Sequence, residues 1–85
     1  MAMQLNLRYF ASIREALGKA GEQHETAATD LAALRDELIA RGAPYAQALA
    51  RGRAVRMALD QVLCDESAAL HVAAEVAFFP PVTGG

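Results

Sequence analysis

The chain has a single cysteine, Cys64, so no internal disulfide is available and the fold must hold together by packing. Basic charge is scarce as well. Eight lysine and arginine side chains stand against ten aspartates and glutamates, for a net charge of −2. No basic stripe exists to neutralise phosphates, which excludes nucleic acid as a partner. No apolar run approaches the roughly 20 residues that cross a bilayer, and no membrane partner is expected. The N-terminus alternates polar and apolar residues and lacks the core of a secretory signal, so a cytoplasmic location is expected. Chemistry-bearing clusters are missing too. His24 and His71 lie far apart with no gathered metal ligands, and no catalytic constellation is visible. Both histidines read as structural, and no metal site is expected. Cys64, in a strand beside Leu63, reads as an inert buried cysteine. A sulfur-carrying role for it is a competing reading that Cys64→Ser would test.

What is present is enough for one domain. At 85 residues there is no room for two. The 54% hydrophobic fraction is inflated by 20 alanines, and the remaining larger apolar residues suffice for one core.

Leu5, Leu7 and Tyr9 alternate with Gln4, Asn6 and Arg8, the period of a half-buried strand. Phe10 falls on the face opposite Tyr9. Ser12-Ile13-Arg14-Glu15 fits a capping box, opening a short helix that stops at Gly18. Residues 23–28 read as a second strand paired with the first. Thr29 or Asp30 caps the main helix, along which Leu31, Leu34, Leu38 and Ile39 form one apolar stripe. Arg35, Asp36 and Glu37 read as its solvated face. Arg41 and Gly42 fit the helix end, and Pro44 prevents its continuation. Residues 45–51 read as a further helical turn. Val55, Met57 and Leu59 alternate as a strand, Asp60-Gln61 turns the chain, and Val62-Leu63-Cys64 returns. Residues 65–71 read as a loop before the last strand. Helices on one face of a mixed sheet make an α+β domain.

The end of the chain carries the functional signal. Glu75-Val76-Ala77-Phe78-Phe79 has strand composition, and Pro80 ends any ladder because it has no N–H to donate. Each proline pushes its predecessor toward extended geometry, so Pro80 and Pro81 form a stiff root. Val82, Thr83, Gly84 and Gly85 follow, and the last two have no Cβ. Such a tip suits a narrow pocket and presents the Gly85 α-carboxylate without bulk beside its carbonyl carbon.

The run from Glu75 to Gly85 closely resembles the C-terminus of the small, sulfur-carrier subunits of molybdopterin synthases. Tyr9-Phe10-Ala11-Ser12-Ile13-Arg14-Glu15 is similar to that family's first strand-to-helix junction. The resemblance implies a ubiquitin-like β-grasp fold of about five strands over residues 1–79, its first and last strands adjacent at the centre. Residues 80–85 are then an extended C-terminal tail. It further implies that Gly85 is the reacting group. An adenylyltransferase of the ubiquitin-activating type, using ATP and magnesium, would adenylate its carboxylate, and sulfur would then displace the adenylate to leave a thiocarboxylate. This chain binds no cofactor itself. The charged tail, residues 80–85, would enter the large subunit and give its sulfur to cyclic pyranopterin monophosphate. The chain is then the non-catalytic half of a heteromeric enzyme. Phe78 is expected inward and Phe79 outward, with Phe10 and Leu63 extending an apolar docking patch and Arg14 reaching the activating enzyme. His71-Val72-Ala73-Ala74 departs from the acidic-glycine turn that relatives usually carry before the last strand. A carrier for thiamine synthesis, a ubiquitin-like protein modifier and a β-grasp binding module with a passive tail are the alternatives.

Overall fold

The computed structural model describes residues 2–81. The elements are β1 (Met3–Tyr9), α1 (Ala11–Leu17), β2 (Gly21–Thr26), α2 (Leu31–Ile39), α3 (Tyr45–Ala48), β3 (Arg56–Leu59), β4 (Val62–Cys64) and β5 (Glu75–Phe79). The strands form one five-stranded sheet in the order β2-β1-β5-β3-β4. β1 and β5 run parallel at its centre, and every other pairing is antiparallel. This is the expected β-grasp arrangement.

Strand alternation sorts the side chains into two faces. Leu5, Leu7 and Tyr9 from β1, Val76 and Phe78 from β5, and Met57 from β3 turn to one side. There they meet Ile13 and Leu17 of α1, Leu31, Leu34 and Leu38 of α2, and Tyr45, Ala48 and Leu49 around α3 in a single core. The stripe on α2 behaves as its spacing predicts, except that Ile39 is only partly buried against that core. Tyr9 and Phe78 are register partners, and their rings stack with centroids 5.9 Å apart.

Local signals succeed where they involve only neighbours in sequence. The Asp30 side chain accepts from the Ala33 N–H at 2.8 Å and starts α2. Gly18, at φ 75°, ends α1. Asp60 and Gln61 both take positive φ, the geometry of a tight hairpin between β3 and β4. Three expectations need correction. The capping box at Ser12 does not form. The Phe10 N–H bonds to the Phe78 carbonyl and extends the ladder by one residue, and the Phe10 carbonyl then accepts from Ile13 and Arg14. The helix is therefore capped by backbone two residues earlier, at Phe10. The second strand starts at Gly21, because β1 pairs Arg8 with Gly21 and Met3 with Thr26. Arg35 does not lie on a solvated face: it is 3% exposed. The turn at 71–74 is closed by the Ala74 N–H on the His71 carbonyl at 3.2 Å, with Ala73 at φ 65° where glycine would be unstrained.

Gly21 is there because nothing else fits. A Cβ at this position would lie 2.5 Å from the Leu7 carbonyl oxygen, a backbone atom of β1, which is held by a neighbouring strand on each side. Gly21→Ala is expected to cost about 1–3 kcal/mol, the usual range for forced overpacking. Chemical denaturation followed by circular dichroism checks this, and an unchanged midpoint would refute the close approach.

Candidate functional site

β5 delivers the chain's end to one edge of the sheet. It stops at Phe79, and Pro80 and Pro81 lie outside any strand, both partly exposed. Val82, Thr83, Gly84 and Gly85 fall outside the described residues.

Around this exit the open face of the sheet carries the docking candidates. Phe79 is half-buried, and alternation places it opposite Phe78, whose side chain is fully buried. The expected inward and outward assignment therefore holds. Phe10 is 43% exposed and follows Tyr9 as Phe79 follows Phe78, so the two phenylalanines are neighbours across β1 and β5. Leu63 is 59% exposed and belongs to the same face, in a row that runs Leu63, Ala58, Ala77, Arg8 across four strands. The structure thus brings Phe10, Phe79 and Leu63 onto one surface. Arg14 is exposed on α1 and has no described ion-pair partner.

Three features of this face lay hidden in the sequence. Ala58 and Ala77 are each 8% exposed although they point away from the helices, so the floor between Leu63 and the phenylalanines is low and flat. Arg56 is the register partner of Phe79. Arg8 sits opposite Ala77 and reaches Glu75 at 4.0 Å. An apolar strip edged by arginines suits a partner surface that is apolar at its centre and acidic at its rim. The signal that would have found it is register, which places residues from four strands side by side.

No group of three potential metal ligands exists among the described residues. A cavity of about 100 Å³ opens next to Pro80, between Ser12, Ile13 and Ala16 of α1 and the segment leading from Ala48 to Val55. It is small beside the roughly 300–1,000 Å³ of ordinary ligand sites. Cys64 is half-buried and packs against the core from β4, on the helix side with its partner Met57. His24 bonds Glu37 at 2.7 Å and His71 bonds Asp60 at 2.5 Å.

Arg35 fixes the 49–53 loop. Its Nε donates to the Leu49 carbonyl at 2.8 Å, and its terminal nitrogens donate to the Ala50 carbonyl at 2.7 Å, the Arg53 carbonyl at 3.1 Å and Glu66 at 3.0 Å. Glu66 also binds Arg51, and that bond, more than Arg35, holds its carboxyl below the usual range against the opposing effect of burial.

The turn before β5 is held by titratable groups. The Asp60 carboxylate accepts the Glu75 N–H at 3.0 Å and bonds His71. The Glu75 N–H, then His71, keep Asp60 below its ordinary value, and Asp60, then the Val72 carbonyl, raise His71 above 6.5. A raised histidine contributes stability that is complete below the unfolded value and is lost as pH rises through the folded one. A small fall in Tm above about pH 6.5 is therefore expected, and His71→Gln should flatten it. An unchanged slope in the variant would remove His71 as its source.

The ThiS family model matches residues 7–85. The chain belongs to the ThiS family. This ThiS-family chain is 38% identical over 81 residues to the molybdopterin synthase sulfur carrier subunit of Haemophilus influenzae, covering 95% of this chain and 99% of that one. Its fold superposes on the solution structure of the Haloferax volcanii HVO 2177 protein with a TM-score of 0.79 at 25% identity, covering 99% of this chain and 88% of that one. It also matches a chain in the complex of subunits 1 and 2 of molybdopterin-converting factor from Helicobacter pylori, with a TM-score of 0.63 at 27% identity. That match covers 98% of this chain and 100% of the other.

Proposed function

We propose that this chain is a sulfur carrier in molybdopterin biosynthesis and that Gly85 is its reacting group. The observation that carries the reading is the near-complete match to a sulfur carrier subunit, at 38% identity, in a chain whose last strand leads into Pro80-Pro81-Val82-Thr83-Gly84-Gly85. A carboxylate is a poor acyl donor because oxide is a poor leaving group. An adenylyltransferase supplies ATP and magnesium, the Gly85 carboxylate attacks the α-phosphate, and pyrophosphate leaves. Sulfur then attacks the acyl carbon, adenylate departs, and a thiocarboxylate remains. A thiocarboxylate is anionic at neutral pH and a far better nucleophile than the acid it replaces.

The charged tail then enters the large subunit of molybdopterin synthase, which contributes the acid-base groups, and sulfur passes to cyclic pyranopterin monophosphate. The Helicobacter pylori assembly of subunits 1 and 2 supports a two-subunit arrangement for this chain. The face bearing Phe10, Phe79 and Leu63 is the docking surface. Phe79→Ala is expected to weaken binding to the large subunit by about 1–3 kcal/mol, the loss typical of an interface anchor. Titration calorimetry measures it, and an unaltered affinity would take Phe79 out of the interface.

Intact mass spectrometry tests the reading. After incubation with ATP, magnesium, a sulfur donor and the activating enzyme, one oxygen of the C-terminal peptide is expected to be replaced by sulfur. Adding the large subunit and the pterin substrate should reverse that change. An unaltered mass, under conditions that charge a control carrier, would overturn the proposal. Charging without transfer to the pterin would redirect it to thiamine synthesis or protein modification.

A further inference from the structure

The cavity beside Pro80 has a mostly apolar lining, and Ala16, Ala48 and Ala54 are part of it. It exists because these short side chains leave it unfilled. Its size decides what it can hold. A dry cavity of about 150 Å³ takes up benzene. At about 100 Å³ this one suits roughly four carbons, the side chain of a leucine or isoleucine, and no metabolite-sized ligand.

The walls are held in place. Ile13 and Ala48 belong to the core and anchor α1 and α3. The third wall is the segment that ends in Arg53, Ala54 and Val55. Arg35, itself 3% exposed, donates to the Leu49, Ala50 and Arg53 carbonyls of that segment. The Arg53 N–H donates to the Ala50 carbonyl at 2.9 Å and tightens it further. A braced hollow keeps its shape, so an incoming side chain does not have to order the walls in order to bind.

Charge narrows the choice of occupant. Among the described residues, Arg8, Lys19, Arg35, Arg41 and Arg51 each lie within 4.0 Å of a carboxylate. The other three cations, all arginines, gather where β5 ends. Arg53 lines the cavity, Arg56 is the register partner of Phe79, and Arg14 follows Ile13 on α1. No carboxylate lines the cavity. In a chain of net charge −2, this end holds the positive charge that no described carboxylate meets. It is complementary to an acidic group presented beside an apolar one.

We propose that the cavity seats one leucine- or isoleucine-sized side chain of the large subunit, while a carboxylate next to that side chain pairs with Arg53. The inference rests on the proposed docking of this chain to that subunit. Position supports the choice of occupant. Pro80 is both a wall of the cavity and the first residue beyond the sheet, so a protein that closes around the exit lies over the cavity mouth. Phe10, Phe79 and Leu63 meet it on the open face, and the cavity meets it from the helix side of Pro80. A flat patch alone leaves a partner free to slide and rotate. A side chain seated in a hole beside the patch removes that freedom and fixes the direction of approach.

Calorimetric titration of the full chain with the large subunit tests this. Ala16→Leu puts extra carbons into the hollow and keeps a good helix former, so Tm should hold or rise. Its affinity for the large subunit should fall by about tenfold or more, the loss expected when an interface anchor is shut out. Arg53→Glu reverses the charge of an exposed side chain at the mouth and should weaken binding by a similar factor. Arg53→Lys should recover much of that loss. Circular dichroism checks that each variant folds, and Arg53→Glu decides the matter if Ala16→Leu does not. Wild-type affinity in folded Ala16→Leu, or in Arg53→Glu, would overturn this inference alone, because Phe79→Ala tests the open face separately. Intact affinity with slower loading by the activating enzyme would hand the cavity to that enzyme and equally overturn the assignment. A wild-type chain that does not bind the large subunit would end both readings.

Discussion

Arg35→Ala is expected to remove about 3–5 kcal/mol of stability, the range for breaking a buried charged network. The guanidinium is 3% exposed and satisfies the carbonyls of Leu49, Ala50 and Arg53, which share no other described side-chain donor. Removing it leaves those acceptors facing a void, and water reaches Leu49, itself fully buried, only if the loop opens. Glu66 is less affected because Arg51 still holds it. A domain of this length has roughly 4–13 kcal/mol in total, so the loss is roughly a quarter of the reserve or more. At about 4–8 °C per kcal/mol, Tm should fall by about 12–40 °C. Arg35→Lys keeps the charge but not the planar fork and should recover only part. Thermal and urea denaturation followed by circular dichroism measure both variants. A loss under about 1 kcal/mol for alanine would mean the loop is held by other contacts.

Deletion of Gly85 should abolish sulfur loading while leaving Tm within the error of measurement. On the proposed reading the loss is complete, because the activating enzyme must align one acyl carbon with the α-phosphate, and shortening moves the carboxylate by about 3.3–3.6 Å. Displacements of that size defeat catalysis that depends on positioning. Stability is untouched because the core ends at Phe78 and the sheet at Phe79. Intact mass after incubation with the activating system and ATP provides the first readout, and thermal denaturation the second. Full loading of the shortened chain would show that another group carries the sulfur, and Cys64→Ser then becomes the decisive variant.

Much of this architecture was legible residue by residue. Leu5, Leu7 and Tyr9 announce a one-sided strand, Asp30 and the leucines after it announce α2, and Pro80 announces where pairing stops. The resemblance of the terminal run to sulfur-carrier subunits pointed to Gly85 as the reacting group. Other features were out of reach. Ser12 and Glu15 have the right spacing for a cap, but the ladder bond from Phe10 to Phe78 decides where α1 begins. Arg35 sits on α2 where a charged residue usually meets water. Its burial depends on a loop 14 residues away folding back over it. Glu22 carries no signal in the sequence; β2 places it under Tyr9 and α3 brings Tyr45 down on it.

Sequence alone determined the order of elements and the faces they bury, because periodicity, proline and glycine act over a few bonds. Only the tertiary structure decided that Phe10, Phe79 and Leu63 share a surface and that Arg35 is interior. Those facts depend on register between strands far apart in the chain, and register is fixed by the whole core packing at once.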